Sequence, residues 1–96
     1  MPEKTFTLKV VTPEEEVFND QIISVIVPGE AGSFGVLANH APFVSQIKRG
    51  IIEIKRPDGK DVVVEVGEGY SKVKDNEMII LVTTAIIEAE IPTVPK

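Results

Sequence analysis

His40 is the first residue to consider for chemistry, because it is the only histidine in a chain of 96 residues. A zinc site would need two or three further ligands, and the sequence offers only scattered carboxylates and no cysteine. A catalytic triad would need a nucleophile on a strained turn, and no G-x-S-x-G segment is present. We therefore interpret His40 as a structural residue whose ring hydrogen-bonds the loop backbone, or as a contact to a partner.

Three glycines at every third position, Gly29, Gly32 and Gly35, resemble a phosphate-binding loop at first sight. The pattern is not G-x-G-x-x-G, no G-K-[ST] follows, and the segment leads into His40-Ala41-Pro42 instead of a helix. Nucleotide binding at this segment is therefore not predicted. The glycines instead predict a bent loop that needs positive φ angles and close backbone approach.

The acidic residues give no clear catalytic pair. Glu14-Glu15-Glu16 is interpreted as a solvated edge, and Glu53 and Glu65 alternate with apolar residues as solvent-facing strand positions do. A glycosidase pair stays open on sequence alone, although one Tyr and no Trp leave little for a sugar-stacking cleft. Tyr70, which follows Gly67-Glu68-Gly69, is interpreted as marking a turn packed by its ring. No catalytic residue and no metal ligand is assigned.

The composition predicts the elements that must position these residues. The chain has 14 Val, 12 Ile and 6 Thr against 3 Leu and 5 Ala, so one third of its residues are β-branched. Such side chains are stiff at χ1 and pack well on a pleated surface, which excludes a helical bundle. A hydrophobic content of 43% with a net charge of −5 argues against disorder. At this length a single all-β domain is expected.

Turn signals at intervals of 6 to 11 residues predict short antiparallel strands in a sandwich or barrel. Parallel βαβ units would need a longer helical crossover. Pro57-Asp58-Gly59-Lys60 is the clearest hairpin, and Thr12-Pro13-Glu14-Glu15 is interpreted as a turn before a short strand. We expect strands near residues 5–11, 21–27, 43–48, 51–56, 61–67, 70–74 and 77–83, with shorter pieces near 15–18 and 34–37.

Two segments are apolar on both faces, residues 22–27 and 78–82. In a sandwich the second face lies either under a loop or at a protein interface, and both readings stay open. Ile23 and Val25 are the candidate contact residues in the first segment. We expect the domain to cover residues 1–91, with a Pro-containing tail at 92–96. A pI near 4.8 argues against nucleic acid as a partner, and no apolar stretch is long enough for direct membrane insertion.

The order of residues between 18 and 50 is distinctive. The element G-x-F-G-V-L-x-x-H-A-P, at residues 32–42, closely resembles the epsilon subunit of bacterial F-type ATP synthases, a family that corresponds to the mitochondrial delta subunit. The resemblance covers about residues 4–87. It implies an antiparallel β-sandwich of about ten short strands in two sheets, acting as a non-catalytic rotor subunit. Its partners would be the gamma subunit and the membrane c-ring, on the cytoplasmic side of the bacterial inner membrane, where the subunit is peripheral.

The resemblance also implies two contact regions. Members of the family turn the glycine-containing loop toward the polar loops of the c-ring, and the positions that match Thr12, His40 and Ser45 toward gamma. In this sequence the loop is Glu30-Ala31-Gly32-Ser33-Phe34-Gly35. Longer relatives continue into a C-terminal helical hairpin that can brake ATP hydrolysis and, in some, binds ATP. This chain ends at Lys96, so we expect no helical hairpin, no ATP binding and no cofactor.

Two other functions compete with this one. A stand-alone β-sandwich module that recognises a peptide or a carbohydrate would explain the fold and the acidic charge. It would not explain the distinctive run of residues from Gly32 to Pro42. A small hydrolase would need a nucleophile and a base that the sequence does not offer.

Overall fold

The structure is a computed structural model that describes residues 4–92. This part of the chain contains ten strands and no helix, which confirms the predicted all-β class and the approximate number of strands. The strands are β1 (Phe6–Val11), β2 (Glu16–Ile22), β3 (Ser24–Gly29), β4 (Gly32–Leu37), β5 (Phe43–Ile47), β6 (Gly50–Lys55), β7 (Lys60–Val66), β8 (Gly69–Lys74), β9 (Glu77–Val82) and β10 (Ala85–Pro92).

Hydrogen bonds join nine strands in the order β10-β7-β6-β3-β5-β8-β9-β1-β2, and β4 pairs with β3 outside this path. Strand β3 pairs with β6 through three residues but with β5 only at Gly29, opposite Ile47. At this narrow link the sheet passes from one layer of the sandwich to the other. All pairs are antiparallel except β1 with β9, which are parallel and place Leu8 opposite Met78.

The core is built from alternate positions of both layers. In β1, Phe6, Leu8 and Val10 are buried while Thr7 and Lys9 are half-buried on the other face, as the period of a strand requires. Each fully buried large aliphatic side chain contributes about 1.5–3 kcal/mol to folding. The buried apolar residues are Phe6, Leu8, Val10, Phe18, Ile22, Val25, Val27, Val36, Ile47, Ile52, Ile54, Val62, Val64, Val66, Val73, Met78, Ile80 and Val82.

The segment at 22–27 is not one strand, which corrects the sequence prediction. The ladder is interrupted at Ile23, whose N–H donates to the Lys55 carbonyl at 2.8 Å, and β3 begins at the next residue. This break shifts the alternation, so Ile22 and Val25 both enter the core. Of the two readings left open for Val25, the structure supports the core position, because its side chain is fully buried. The short piece expected near 15–18 is the seven-residue strand β2.

Strand β10 is a second difference from the sequence prediction, which assigned no strand there. It pairs with β7, and the register shifts between Ile87 and Ala89. This bulge breaks the period-two pattern that would have revealed the strand. The strand ends at Pro92, one residue past the predicted domain boundary, and the rest of the predicted tail lies outside the described residues.

The two predicted turns are confirmed. The Thr12 hydroxyl accepts hydrogen bonds from the N–H groups of Glu14 at 3.3 Å and Glu15 at 3.2 Å, which forms a side-chain turn instead of a helix start. In the β6–β7 hairpin, Gly59 has a φ of 81° and its N–H donates to the Arg56 carbonyl at 3.2 Å. Glycine reaches this positive φ without a steric penalty.

Arg56 connects the two ends of the sheet path. Its Nη2 lies 3.2 Å from Oδ2 of Asp20 in β2 and 3.2 Å from Oδ2 of Asp58 in the hairpin, and its Nη1 lies 3.5 Å from Oε2 of Glu90 in β10. One planar guanidinium can serve three carboxylates because its donors point in fixed, separate directions. Arg56 thus holds together the two edges that no hydrogen-bonded ladder joins.

Replacing Arg56 by Ala should lower the free energy of unfolding by about 1 kcal/mol, since partly exposed ion pairs contribute modestly. Urea denaturation would measure the change, and raising the salt concentration should reduce it. Arg49→Ala is the matched control, because Arg49 is exposed and forms no ion pair within residues 4–92. Equal effects of the two substitutions would contradict a specific role for Arg56.

Candidate functional site

The predicted glycine loop is a tight β-hairpin, which corrects its assignment as a bent loop. Gly29 pairs with Gly32 at the end of the β3–β4 ladder, so only Glu30 and Ala31 form the turn. Gly32 has a φ of 128°, a positive value that residues with a side chain rarely adopt. Gly29 and Gly35 have no positive φ, so the predicted positive φ is found at Gly32 but not at the other two glycines.

Phe34 explains why Gly29 must lack a side chain. A Cβ added at Gly29 would lie 2.9 Å from two Phe34 ring atoms and 2.9 Å from the Gly32 carbonyl oxygen. The Phe34 ring also packs edge-on against Phe43, with centroids 5.4 Å apart. Phe34 is therefore half-buried and anchors the hairpin to the core, whereas Glu30, Ala31, Gly32, Ser33 and Gly35 are exposed.

His40 is placed as its structural interpretation predicts. Its Nδ1 lies 2.6 Å from the Ala41 carbonyl oxygen, and its ring centroid lies 4.8 Å from that of Phe43. The preceding residue, Asn39, has a φ of 62°, and its N–H donates to Oδ1 of Asn76 at 2.8 Å. These contacts fix the His40 segment to the turn between β8 and β9.

Thr12, His40 and Ser45 do not form one cluster. Thr12 follows β1 at the end of the sandwich where an open depression of about 320 Å³ is lined by Glu68 and Thr83, among others, and Thr12 is only 9% exposed. His40 lies at the opposite end, next to Asn39, whose N–H donates to Asn76 in the turn between β8 and β9. Ser45 is in the middle of β5, opposite Ser71, with its side chain on the inner face and half-buried. The three residues therefore mark two ends and the middle of one layer.

The outer side of the β1–β9–β8–β5 layer carries an exposed apolar surface. The row nearest the Thr12 end places Val11 opposite Leu81, Leu81 opposite Tyr70 and Tyr70 opposite Gln46. Leu81 is 53% exposed, Tyr70 is 58% exposed, and Val44 on β5 is 67% exposed. Tyr70 therefore does not pack a turn, contrary to the sequence interpretation. We call this surface the tyrosine face; it comprises Val11, Val44, Tyr70, Lys72, Ile79 and Leu81.

The outer side of the other layer is apolar and acidic. Ile26 lies opposite Glu53, and Ile51 and Ile86 both lie opposite Glu65. Glu53 and Glu65 are exposed, as the sequence predicts, and so is the acidic run at Glu14-Glu15-Glu16. We call this surface the acidic face; it comprises Ile26, Ile51, Glu53, Glu65, Ile86 and Glu88.

Glu88 and Glu65 are neighbours on the acidic face. A side-chain hydrogen bond with Glu65 raises the pKa of Glu88, and the repulsion between the two carboxylates raises it further. The raised pKa of Glu88 does not by itself make a catalytic site, because both carboxyls are on an open surface.

Residues 4–92 offer no other chemistry. No group of three or more His, Asp or Glu side chains in this part of the chain is arranged to hold a metal ion. No helix long and apolar enough to cross a membrane occurs among the same residues. The features that stand out are therefore surfaces for binding another molecule: the hairpin tip, the tyrosine face and the acidic face.

Comparisons with known proteins identify the family. Residues 5–88 match the family model described as "ATP synthase, Delta/Epsilon chain, beta-sandwich domain". The ATP synthase epsilon chain of Campylobacter concisus is 43% identical over 79 residues, which are 82% of this chain and 61% of that relative. The epsilon chain of Nitratiruptor sp. is 41% identical over 88 residues, which are 92% of this chain and 64% of that relative.

The chain belongs to the ATP synthase delta/epsilon family. It spans about three fifths of the length of these curated relatives. The family assignment confirms the resemblance first seen at residues 32–42.

Solved structures show the same fold. A chain of the Euglena gracilis mitochondrial ATP synthase aligns with a TM-score of 0.81 at 24% identity, covering 86% of this chain and 53% of that one. A chain of the Tetrahymena thermophila mitochondrial ATP synthase central stalk and c-ring aligns with a TM-score of 0.75 at 14% identity, covering 90% and 69%. The sandwich of the delta/epsilon family is thus retained in this chain.

Gly29→Ala should lower the free energy of unfolding by about 1–3 kcal/mol, because the added methyl group overlaps the Phe34 ring and the Gly32 carbonyl. Chemical denaturation measures the loss. Gly35→Ala is the matched control, since a Cβ at Gly35 meets only the Val25 carbonyl oxygen at 3.7 Å. Equal stability of Gly29→Ala and Gly35→Ala would show that the Phe34 contact does not require a glycine.

Glu88→Gln should raise the melting temperature at pH 7 and leave it unchanged at pH 3. A carboxyl whose pKa is raised by folding stabilises the protein below its ordinary pKa of 4.5, and this contribution is lost as the pH rises through the raised value. The amide introduced by Glu88→Gln does not ionise, so the variant does not lose this stability as the pH rises. Glu53→Gln is the control on the same face, because its cross-strand neighbours are Ile26 and Val63. A pH-independent difference between parent and Glu88→Gln would contradict the Glu65–Glu88 interaction.

Proposed function

We propose that the chain is a non-catalytic subunit of the rotor of an F-type ATP synthase, where it links the gamma subunit to the membrane c-ring. Membership of the delta/epsilon family supports a place in this complex. The observation that carries the linking role is the tyrosine face, a row of exposed apolar side chains on a rigid sheet. Stable protein interfaces are more hydrophobic than the rest of a surface, and aromatic residues such as Tyr are enriched in them.

The proposed c-ring contact is the segment Glu30-Ala31-Gly32-Ser33-Phe34-Gly35, with the turn at its tip. Glu30 and Ala31 are exposed, and Lys48 and Arg49 are exposed beside the link between β3 and β5. The Lys48 N–H donates to the Pro28 carbonyl at 2.8 Å, so these charges are tied to the hairpin. A tip with charges of both signs suits polar loops, as expected for contact with the c-ring.

The proposed gamma contact is the layer that carries Thr12, His40 and Ser45. These residues lie at the two ends and in the middle of the layer, and the tyrosine face covers its outer side. A partner spanning this length would be held at several points. We propose the tyrosine face as the main contact, because Ser45 points inward and Thr12 is nearly buried.

This arrangement would transmit torque because the sandwich is rigid, and the subunit would not catalyse any reaction. The hairpin tip lies at the same end of the sandwich as Thr12, because Gly29, Ile47, Gly69 and Val82 are opposite one another in successive strands. A packed core resists shear between the tip and the outer face. The subunit would remain peripheral on the cytoplasmic side of the bacterial inner membrane, without ATP binding.

Leu81→Asp should raise the dissociation constant for the gamma subunit at least about tenfold, since a charge buried in an apolar interface costs more than 1.4 kcal/mol. Co-expression followed by size-exclusion chromatography and calorimetry would measure it. Ile86→Asp is the matched control: Ile86 is 60% exposed on the acidic face. Both variants should keep the parent's circular dichroism spectrum.

A parent chain that never co-elutes with gamma would overturn the proposed function and leave a stand-alone binding module as the alternative. Weaker binding by Ile86→Asp, with Leu81→Asp unchanged, would retain the function but assign gamma to the acidic face.

A further inference from the structure

Among residues 4–92, β2, β10 and β4 lie at ends of the hydrogen-bonded path, and the edges of the first two are protected. Strand β5 also has a partly open side, because it meets β3 only at Gly29. Unpaired edges invite another strand, and natural proteins block them with charges, bulges and proline. Strand β2 has a register irregularity beside its first residues, and its Asp20 is bound by Arg56. Strand β10 has a bulge at Ile87/Ala89 and ends in Pro92. Both edges therefore discourage pairing.

Strand β4 is the third edge and has none of these devices. It pairs with β3 alone among the residues that the structure describes. Its six residues, Gly32-Ser33-Phe34-Gly35-Val36-Leu37, contain no charge and no proline. The register with β3 runs without a shift from Gly29–Gly32 to Ser24–Leu37. The edge is therefore regular and uncharged along its whole length.

The hairpin geometry shows which main-chain groups point outward. In a two-residue hairpin the flanking pair, here Gly29 and Gly32, is hydrogen-bonded, and bonded pairs then alternate along the ladder. Phe34 and Val36 thus bond to β3, while Ser33, Gly35 and Leu37 direct their N–H and C=O groups away from it. The Pro28 carbonyl supports this alternation of bonded and non-bonded pairs. It accepts a hydrogen bond from the Lys48 N–H, on the side of β3 that faces away from β4.

The side chains leave this edge open. Ser33 and Gly35 are small and exposed, so another backbone can approach to the strand spacing of about 4.8 Å. Leu37 is 62% exposed on the outer side, and Phe34 is half-buried on the inner side. An added strand with apolar side chains would cover both.

We propose that the outer edge of β4 accepts an extended segment of a neighbouring protein subunit as an additional antiparallel or parallel strand. Its main chain bonds to Ser33, Gly35 and Leu37, and its apolar residues cover Phe34 and Leu37. The alternating donors and acceptors of this edge match a polypeptide backbone and not a carbohydrate. A second copy of the chain fits less well, because each copy carries a net charge of −5. The identity of the neighbour as a rotor subunit rests on the proposed function.

Hydrogen exchange tests the proposal directly. In the free chain the amides of Ser33, Gly35 and Leu37 should exchange fast and those of Phe34 and Val36 slowly. In the chain assembled with the gamma subunit and c-ring, the three fast amides should slow at least about tenfold, as amides do on entering a ladder. Unchanged exchange at all three in the assembled complex would overturn the proposal.

A proline substitution tests the same hydrogen bonds. Gly35→Pro removes an outward N–H, and proline is tolerated on an edge strand where the N–H faces solvent. Gly35→Ala keeps the N–H and has room for its methyl group. Gly35→Pro should weaken binding to the gamma–c-ring assembly at least about tenfold relative to Gly35→Ala, because both variants add side-chain atoms at this position of the proposed ring contact but only the proline removes the N–H. Ser33→Pro provides a second variant at another outward position, and both proline variants are checked by thermal unfolding.

The outcomes separate the two proposals. A parent chain that does not assemble with gamma and the c-ring overturns the proposed function and the edge with it. A chain that assembles while its three edge amides still exchange fast overturns only the edge. A dimer of the free chain, seen by sedimentation and abolished by Gly35→Pro, would assign the edge to a second copy and overturn the choice of partner.

Discussion

The requirement that every strand bury one side determines the rest of this molecule. A strand alternates its side chains between two faces, so filling one core from both layers also decides which residues stay outside. In β9, Met78 and Ile80 enter the core, and Leu81 must therefore lie outside. The tyrosine face and the acidic face are both consequences of this alternation. Their different charges then follow from the register of the strands, which groups Glu53 and Glu65 in one layer.

Much of this architecture could be predicted from sequence, and the failures have physical causes. Local alternation and turn residues are properties of neighbours in the chain, so β1 and the hairpin at Gly59 were predicted correctly. The strand break at Ile23 depends on a hydrogen bond to Lys55, a partner more than thirty residues away. The bulge in β10 likewise depends on pairing with β7. Such long-range pairings leave no regular local pattern.

The candidate site, too, could be predicted only where it depends on neighbouring residues in the chain. His40 was predicted to be a structural residue or a partner contact, because the sequence offers no further metal ligands, and the contact of its Nδ1 with the Ala41 carbonyl oxygen agrees with the structural role. The spacing of the glycines predicted the positive φ found at Gly32. It did not predict that Phe34 anchors the hairpin by packing on Phe43. The outward position of Tyr70 could have been found by extending the alternation from the buried Val73. The tyrosine face and the acidic face could not be found in this way, because they depend on the order of strands within the sheet.

The hairpin β3–β4 joins the features on which the proposed linking role depends. Its tip carries the proposed ring contact, its outer edge has no partner strand within residues 4–92, and its inner side is held by Phe34 against Phe43. Strand β3 is held by β6 and β5, but among the described residues β4 pairs with β3 alone, so a force on the tip would bend β4 unless that strand were anchored. The Phe34 contact provides one anchor on the core side. A strand added along the outer edge of β4 would provide a second, since its hydrogen bonds would oppose the same bending from the other side.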